Sequence, residues 1–158
     1  MTRELMQQFT LRISRANKTQ MIVILYEMLL IYIEESKEAH AQGDRAAFKE
    51  GIRKARGCVK ELMESLHLEY EVAENLLQLY LYIRQELTRA DIHNRTEELD
   101  HIKRVVEKLC GAYNEISKQD TSDPVMENTQ VVYAGLTYGK NTLTENLTDQ
   151  GSSRGFRA

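Results

Sequence analysis

The run from Met21 to Ile33, MIVILYEMLLIYI, constrains the fold more than any other stretch of this chain. Glu27 is its only charged residue. The run is too short to cross a membrane, because a spanning helix needs about 20 apolar residues. It is also too long for a buried strand, which rarely exceeds ~8 residues. The sequence therefore predicts a buried helix at this position.

Helical periodicity divides this helix into a polar seam, a core face and two apolar flanks. The polar seam contains Gln20, Glu27, Glu34 and Glu38. The opposite face is predicted to meet the core through Leu25, Leu29, Tyr32 and Ser36. One flank contains Ile24, Met28 and Ile31, and the other contains Val23, Tyr26 and Leu30. A helix with so much apolar surface requires neighbours on more than one side.

Composition and charge exclude several classes of function. A chain of 158 residues, 42% apolar and 28% charged, is typical of one soluble globular domain. Its net charge of −3 provides no broad basic field for nucleic acid. Residues 1–20 contain no apolar signal segment, so we expect the protein in the cytoplasm, without membrane insertion. Cys58 and Cys110 are predicted to be reduced, packed thiols.

Helix-start signals and apolar periodicity predict four long helices. They span residues 17–42, 44–66, 70–91 and 95–117. Asn17 with Gln20, and Asn94 with Glu97, match the capping-box pattern at a helix beginning. Gly43 follows the first of these helices, where a left-handed residue often ends a helix. Four helices joined by short turns predict an all-α fold, an antiparallel up-down four-helix bundle.

Each of the three later helices carries an apolar seam. The seam of 44–66 contains Phe48, Ile52, Ala55, Val59, Leu62 and Leu66. The seam of 70–91 contains Val72, Leu76, Leu79, Tyr80, Ile83, Leu87 and Ala90. The seam of 95–117 contains Leu99, Ile102, Val106, Leu109, Tyr113 and Ile116. Spacing of three and four residues predicts that the seams face a common core.

Two segments flank the predicted bundle domain at 1–118. The spacing of Leu5, Phe9 and Ile13 predicts a short amphipathic helix over residues 2–13, with these three residues on one face. So short a helix is marginal by itself, which predicts a movable N-terminal segment that packs on the bundle. Residues 119–158 form a low-complexity tail rich in Thr, Asn, Ser and Asp, a composition that favours disorder. Its apolar stretch VVYAGLTY, at 131–138, is nevertheless suited to dock in a groove of the bundle.

Two apolar stripes exceed what a single core seam requires. The first stripe is Ile24, Met28 and Ile31, and the second stripe is Tyr70, Leu77 and Leu81. A wider core, or coverage by the 2–13 segment, is the simpler explanation. The functional interpretation is a groove for an amphipathic or extended segment of a partner. We expect antiparallel neighbouring helices to bring both stripes within reach of one partner segment.

The sequence contains no phosphate loop, HExxH or GxSxG motif, so neither a cofactor nor an enzymatic activity is expected. Glu64-x-x-His67 and Glu98-x-x-His101 do match the di-iron signature of four-helix bundles. In an up-down bundle these motifs lie ~30 Å apart, at opposite ends, and cannot share an ion. The register also places them on solvated flanks. A metal-binding bundle remains the alternative of a different class, which the metal content of the purified protein would test.

Two segments, RANKTQMIVILY at 15–26 and LTRADIHN at 87–94, resemble parts of a known family. The matching positions are Ala16, Leu25 and Tyr26 in the first segment, and Leu87, Ala90, Ile92 and Asn94 in the second. Their pattern is similar to that of the flagellar secretion chaperone family, FliS. Asn17 and Lys18 replace the Ser-Pro pair typical of the family, and Asn17 keeps the capping role. The resemblance covers about residues 13–118, and the tail is longer than is usual in the family.

This resemblance implies an elongated antiparallel four-helix bundle without enzymatic activity. Members of the family bind the disordered C-terminal region of flagellin one to one in the cytoplasm, prevent its premature polymerisation and deliver it to the flagellar export apparatus. Their N-terminal segment can cover part of the binding surface. We therefore expect the two stripes to bind flagellin, and Leu5, Phe9 and Ile13 to act as the cover. A related chaperone for another secreted filament subunit is the nearer alternative.

Overall fold

The computed structural model describes residues 1–126, and five helices account for most of them. The helices are α1 (Arg3–Arg15), α2 (Lys18–Ala41), α3 (Arg45–Glu64), α4 (Glu71–His93) and α5 (Glu97–Gln119). No strand occurs in this part of the chain, which confirms the all-α prediction for it. The predicted limits of the four long helices, α2 to α5, agree with these to within two residues. The apolar stretch at 131–138 lies outside the described residues.

Local hydrogen bonds explain where α2 begins and where it gives way to α3. The Oδ1 atom of Asn17 accepts from the Gln20 N–H at 2.9 Å, and Gln20 Oε1 accepts from the Asn17 N–H at 3.0 Å. The predicted capping box is therefore confirmed. Gly43 has a φ of 73°, a left-handed conformation that glycine adopts without steric cost. Asp44 then caps α3 by accepting from the Ala47 N–H at 3.0 Å.

The capping box predicted for Asn94 and Glu97 is wrong. Asn94 ends α4 in a left-handed conformation, with a φ of 52°, and does not begin α5. Asparagine tolerates this conformation better than most residues, and its Oδ1 atom accepts from the Arg45 guanidinium at 2.8 Å. Thr96 precedes α5 and makes no capping bond through its side chain. Asn is favoured both at the beginning and after the end of a helix, so the pattern alone was ambiguous.

The core lies between the four long helices. Helix α2 packs against α3 and α5, and α4 packs against the same two helices. The α2 and α4 side chains meet across the interior, where the hydroxyl groups of Tyr26 and Tyr80 form a hydrogen bond. The larger fully buried side chains are Tyr26, Leu29, Ile33, Phe48, Ile52, Leu62, Tyr80, Ile83, Leu87, Leu99 and Ile102.

Some predicted core positions are wrong. Val72 and Ile116 are exposed, because they lie in the first turn of α4 and the last turn of α5, at the margin of the packed interface. On α2, Leu25 is only partly buried, whereas Ile33 is fully buried. The core face of α2 is therefore rotated from the predicted one towards Ile33, although Leu29, Tyr32 and Ser36 are buried as predicted.

Candidate functional site

Helix α1 lies along the outer side of α2 and covers the first stripe. Phe9 is 5% exposed and Ile24 is 2% exposed, and with Ala16 they form an apolar cluster separate from the main core. The partly buried side chains packed against this cluster include Leu5, Ile13, Met28 and Ile31. The residues predicted as a cover and those predicted as the first stripe thus meet in the structure.

Few polar contacts support this apolar contact between the two helices. Arg12 on α1 donates to the Glu27 carboxylate on α2 at 2.5 Å, and its guanidinium lies 5.3 Å from the centre of the Phe9 ring. Both charged side chains are partly exposed, and such exposed pairs contribute at most about 1 kcal/mol. The ammonium group of Met1, just before α1, also pairs with Glu35 of α2. The apolar face of α1 and these two ion pairs together attach it to α2.

The relative burial of Ile24 and Leu25 is the reverse of the assignment of Leu25 to the core face and Ile24 to a flank. Ile24 is nearly inaccessible to solvent, and Leu25 is only partly buried. The reason is α1, which adds a layer over one flank of α2. Periodicity within α2 identified the apolar flank, and the 2–13 segment that was named as its cover lies over it.

The second stripe remains largely uncovered. Tyr70 is 64% exposed in the connection that precedes α4, and Leu77 and Leu81 are partly buried outside the main core. Leu81 lines an open groove of about 430 Å³, whose other walls include Arg56 of α3 and Arg84 of α4. This stripe offers apolar contacts beside positively charged groups.

The two stripes do not form one continuous surface. The first stripe belongs to α2, and the second belongs to α4 and the residue before it. Helices α2 and α4 each pack against α3 and α5, and they meet each other through side chains in the interior. The expectation that neighbouring antiparallel helices would join them is therefore wrong. A single partner segment would contact both stripes only by passing around the helices.

An apolar cleft that the sequence did not predict lies at one end of the four long helices. It measures about 390 Å³ and is bounded by the beginning of α2, the α3–α4 connection, α4 and α5. Ile22, Leu66, Leu76 and Tyr113 line it, and Tyr70 also contributes. Leu66 was assigned to a core seam, and Ile22 was assigned to neither the core nor a stripe. In the sequence, the signal for this cleft was the surplus of apolar residues near the beginning of α2.

The Cys58 thiol and the two Glu-x-x-His motifs lie in environments that do not favour catalysis or metal binding. Burial raises the pKa of the Cys58 thiol from 9.0 to about 12, so the reactive thiolate is scarce at neutral pH. His67 contacts Lys18 at one end of α2, whereas Glu98 pairs with Arg95 beside the end of α4. Glu98 is 5% exposed, so its predicted solvated position is wrong. Residues 1–126 contain no group of three or more His, Cys, Asp or Glu side chains suited to hold a metal ion.

Comparison with known proteins identifies the family. Residues 1–120 match the family model described as Flagellar protein FliS. The chain belongs to the FliS family. The resemblance to this flagellar export chaperone family is thereby confirmed, and the match includes α1 as well as the four long helices. Membership of the FliS family indicates a chaperone that acts with flagellar proteins.

One further comparison and one structural observation accompany this assignment. No curated protein matches the chain. Among residues 1–126, no helix is both long enough and apolar enough to cross a membrane.

Proposed function

We propose that this FliS-family chain is a cytoplasmic export chaperone that binds the disordered C-terminal region of flagellin one to one. It prevents premature polymerisation and delivers the subunit to the flagellar export apparatus. We also propose that α2 to α5 form an elongated, antiparallel up-down four-helix bundle. Support for this arrangement comes from the short connections and from the packing of α2 and α4 against the same two neighbours.

The observation that carries this proposal is the apolar cluster between α1 and α2. Ile24, Met28 and Ile31 would be a large apolar surface without α1, and α1 is held there by Phe9 and its apolar neighbours together with the two ion pairs. A helix of 13 residues is marginal by itself, so it can leave at a modest cost. We propose that flagellin displaces α1 and binds the first stripe.

The second stripe would hold another part of the same flagellin segment. Tyr70, Leu77 and Leu81 lie outside the main core, so their use for binding costs the fold little. An extended, disordered segment can wrap around a protein and contact surfaces that are not adjacent. The position of the two stripes on α2 and α4 favours such a wrapped complex over a single helix in one groove.

The central experiment is titration calorimetry of the full chain with the C-terminal segment of flagellin. We expect saturable one-to-one binding, and we expect full-length flagellin to polymerise less when the chaperone is present. Absence of binding would contradict the proposal. Pull-down from the native cytoplasm would then show whether another secreted filament subunit is the client.

A pair of adjacent substitutions on α4 tests the second stripe. Leu77→Asp places a charge on the proposed surface, and Gln78→Asp places the same charge on the exposed side of the same helix. A buried leucine contributes ~1.5–3 kcal/mol, so Leu77→Asp should weaken binding about tenfold or more. Gln78→Asp should change affinity little. Equal effects of the two variants would exclude Leu77 from the binding surface.

Hydrogen exchange tests the displacement of α1. Addition of the flagellin segment should reduce protection of the amides in residues 2–13, while amides of α3 retain theirs. Unchanged protection in residues 2–13 at saturating flagellin would contradict displacement, even if binding occurs.

A further inference from the structure

The chain that follows α5 returns to the junction between α1 and α2. The Val125 N–H donates to the carbonyl oxygen of Ala16 at 3.0 Å. The side-chain amide of Asn17 donates to the main-chain carbonyl of Asp120 at 3.2 Å. The Thr19 hydroxyl donates to the Asp120 carboxylate at 2.5 Å. Three separate bonds thus join residues 120–125 to the four-residue span 16–19, where α1 ends and α2 begins.

The junction is built around these contacts. Ala16 and Asn17 are both buried, although they belong to the turn between α1 and α2. Asn17 uses its Oδ1 atom to cap α2 and its Nδ2 atom to bind Asp120, so one side chain serves both contacts. The same amide therefore links the beginning of α2 to the segment after α5.

Asp120 also organises its own segment. Its carboxylate accepts from the Ser122 N–H at 2.9 Å and from the Ser122 hydroxyl at 2.5 Å. Together with the Thr19 hydroxyl, these donors lower the pKa of Asp120 from 3.8 to about 2. The carboxylate is consequently ionised at neutral pH, and its hydrogen bonds are the stronger, charge-assisted type.

We propose that residues 120–125 form a latch that holds the α1–α2 junction and thereby keeps α1 on α2. Helix α1 can leave α2 only by a change of backbone angles near Ala16 and Asn17. The bond from Val125 to Ala16 and the bonds from Asp120 to Asn17 and Thr19 restrict this change. These contacts restrain α1 whatever the role of α1 is. Their role in regulation rests on the proposed function, in which α1 covers the flagellin-binding surface.

This arrangement makes the two ends of the described chain interdependent. Coupling between two sites is reciprocal in free energy. Release of residues 120–125 should therefore loosen α1, and displacement of α1 should loosen residues 120–125. A client that removes α1 would free the beginning of the C-terminal segment at the same time.

Hydrogen exchange of the full chain without flagellin tests the latch directly. Asp120→Ala and Thr19→Val each remove the side-chain bond between these two residues. One net hydrogen bond corresponds to about a 2- to 10-fold change in an opening equilibrium, so exchange within α1 should increase by that factor. Asp123→Ala is the control, because Asp123 makes none of the junction bonds, and it should leave α1 unchanged. Exchange in α3 reports whether a variant has disturbed the whole fold.

A matched pair at Val125 tests the main-chain bond. Val125→Pro removes the N–H donor, whereas Val125→Ala retains it. Faster exchange in α1 for the proline variant alone supports the latch. Conversely, Phe9→Ala should weaken α1 and speed the exchange of the Val125 amide, whose acceptor is Ala16.

Unchanged α1 exchange in Asp120→Ala, Thr19→Val and Val125→Pro would overturn the latch. None of these measurements contains flagellin, so failure of the latch and failure of flagellin binding would be seen separately.

Discussion

Gly51 of α3 lies directly against Ser36 of α2. A Cβ atom placed on Gly51 would lie 3.2 Å from the Cβ atom and 3.4 Å from the Cα atom of Ser36, closer than side chains normally pack. Ser36 is fully buried, and its hydroxyl donates to the Tyr32 carbonyl at 2.7 Å. The absence of a side chain at Gly51 therefore sets how closely α2 and α3 approach.

This contact predicts that Gly51→Ala destabilises the protein although alanine is the better helix former. Overpacking of a tight interface typically costs about 1–3 kcal/mol, which exceeds the helix-propensity gain of up to ~1 kcal/mol. Urea denaturation should give a lower free energy of unfolding. Gly57→Ala is the matched control, because a Cβ there meets nothing within 4 Å. We expect Gly57→Ala to stabilise by ~0.5–1 kcal/mol; a gain at both positions would refute the tight contact.

The burial of Ile24 predicts which of two adjacent substitutions on α2 destabilises the protein more. Ile24→Asp should lower the free energy of unfolding by at least about 2 kcal/mol, because it buries an unpaired charge between α1 and α2. Leu25→Asp should cost less, since Leu25 is partly exposed. Thermal or urea denaturation of the two variants checks this order. A larger loss for Leu25→Asp would show that α1 does not protect Ile24 in solution.

The buried hydroxyl pair of Tyr26 and Tyr80 predicts strong coupling between two substitutions. Tyr26→Phe leaves the Tyr80 hydroxyl without this partner, and an unsatisfied buried polar group costs about 1–3 kcal/mol. The double variant lacks both hydroxyl groups and should lose less than the sum of the single losses. A double-mutant cycle on unfolding free energies measures this coupling. Additive losses would mean that the hydroxyl groups do not bind each other in solution.

The same pair predicts a loss of stability in alkaline solution. Burial raises the pKa of Tyr26 above its ordinary 10.0, and it raises the pKa of Tyr80 from 10.0 to about 12. Raised pKa values mean that the folded state favours the neutral hydroxyl. This contribution is complete below pH 10 and is lost as the pH rises through about 12. Unfolding free energies measured across that interval should fall less in the Tyr26→Phe/Tyr80→Phe variant than in the wild type.

Local patterns sufficed for both ends of α2 and for the beginning of α3, because each of these helix limits has a nearby chemical cause. Asn17, Gly43 and Asp44 determine the ends of α2 and the beginning of α3 through contacts within a few residues. Asn94 shows the limit of such patterns. Its role depended on Arg45, which is distant in sequence and selects the left-handed helix end by a hydrogen bond.

The candidate site was less predictable because it depends on contacts between segments. The sequence showed the surplus of apolar residues at Ile24, Met28 and Ile31, and it also showed the apolar face of α1. Their meeting depends on the geometry of the turn at Ala16 and Asn17, which in turn contacts residues 120–125. The cleft beside Tyr113 likewise combines three helices and a connection, so no single segment carried its pattern.

The three-residue turn between α2 and α3 has a consequence for folding kinetics. Closing a short loop costs little chain entropy, so α2 and α3 can pair before contacts that span more of the chain. Pairing of α2 with α5 requires the chain to bring together residues about 80 positions apart, which is entropically slower. Substitutions at the Gly51–Ser36 contact should therefore slow folding more than they accelerate unfolding, as expected for interactions formed early. The slower pairing of α2 with α5 would then limit how quickly the newly synthesised chain becomes competent to receive a client.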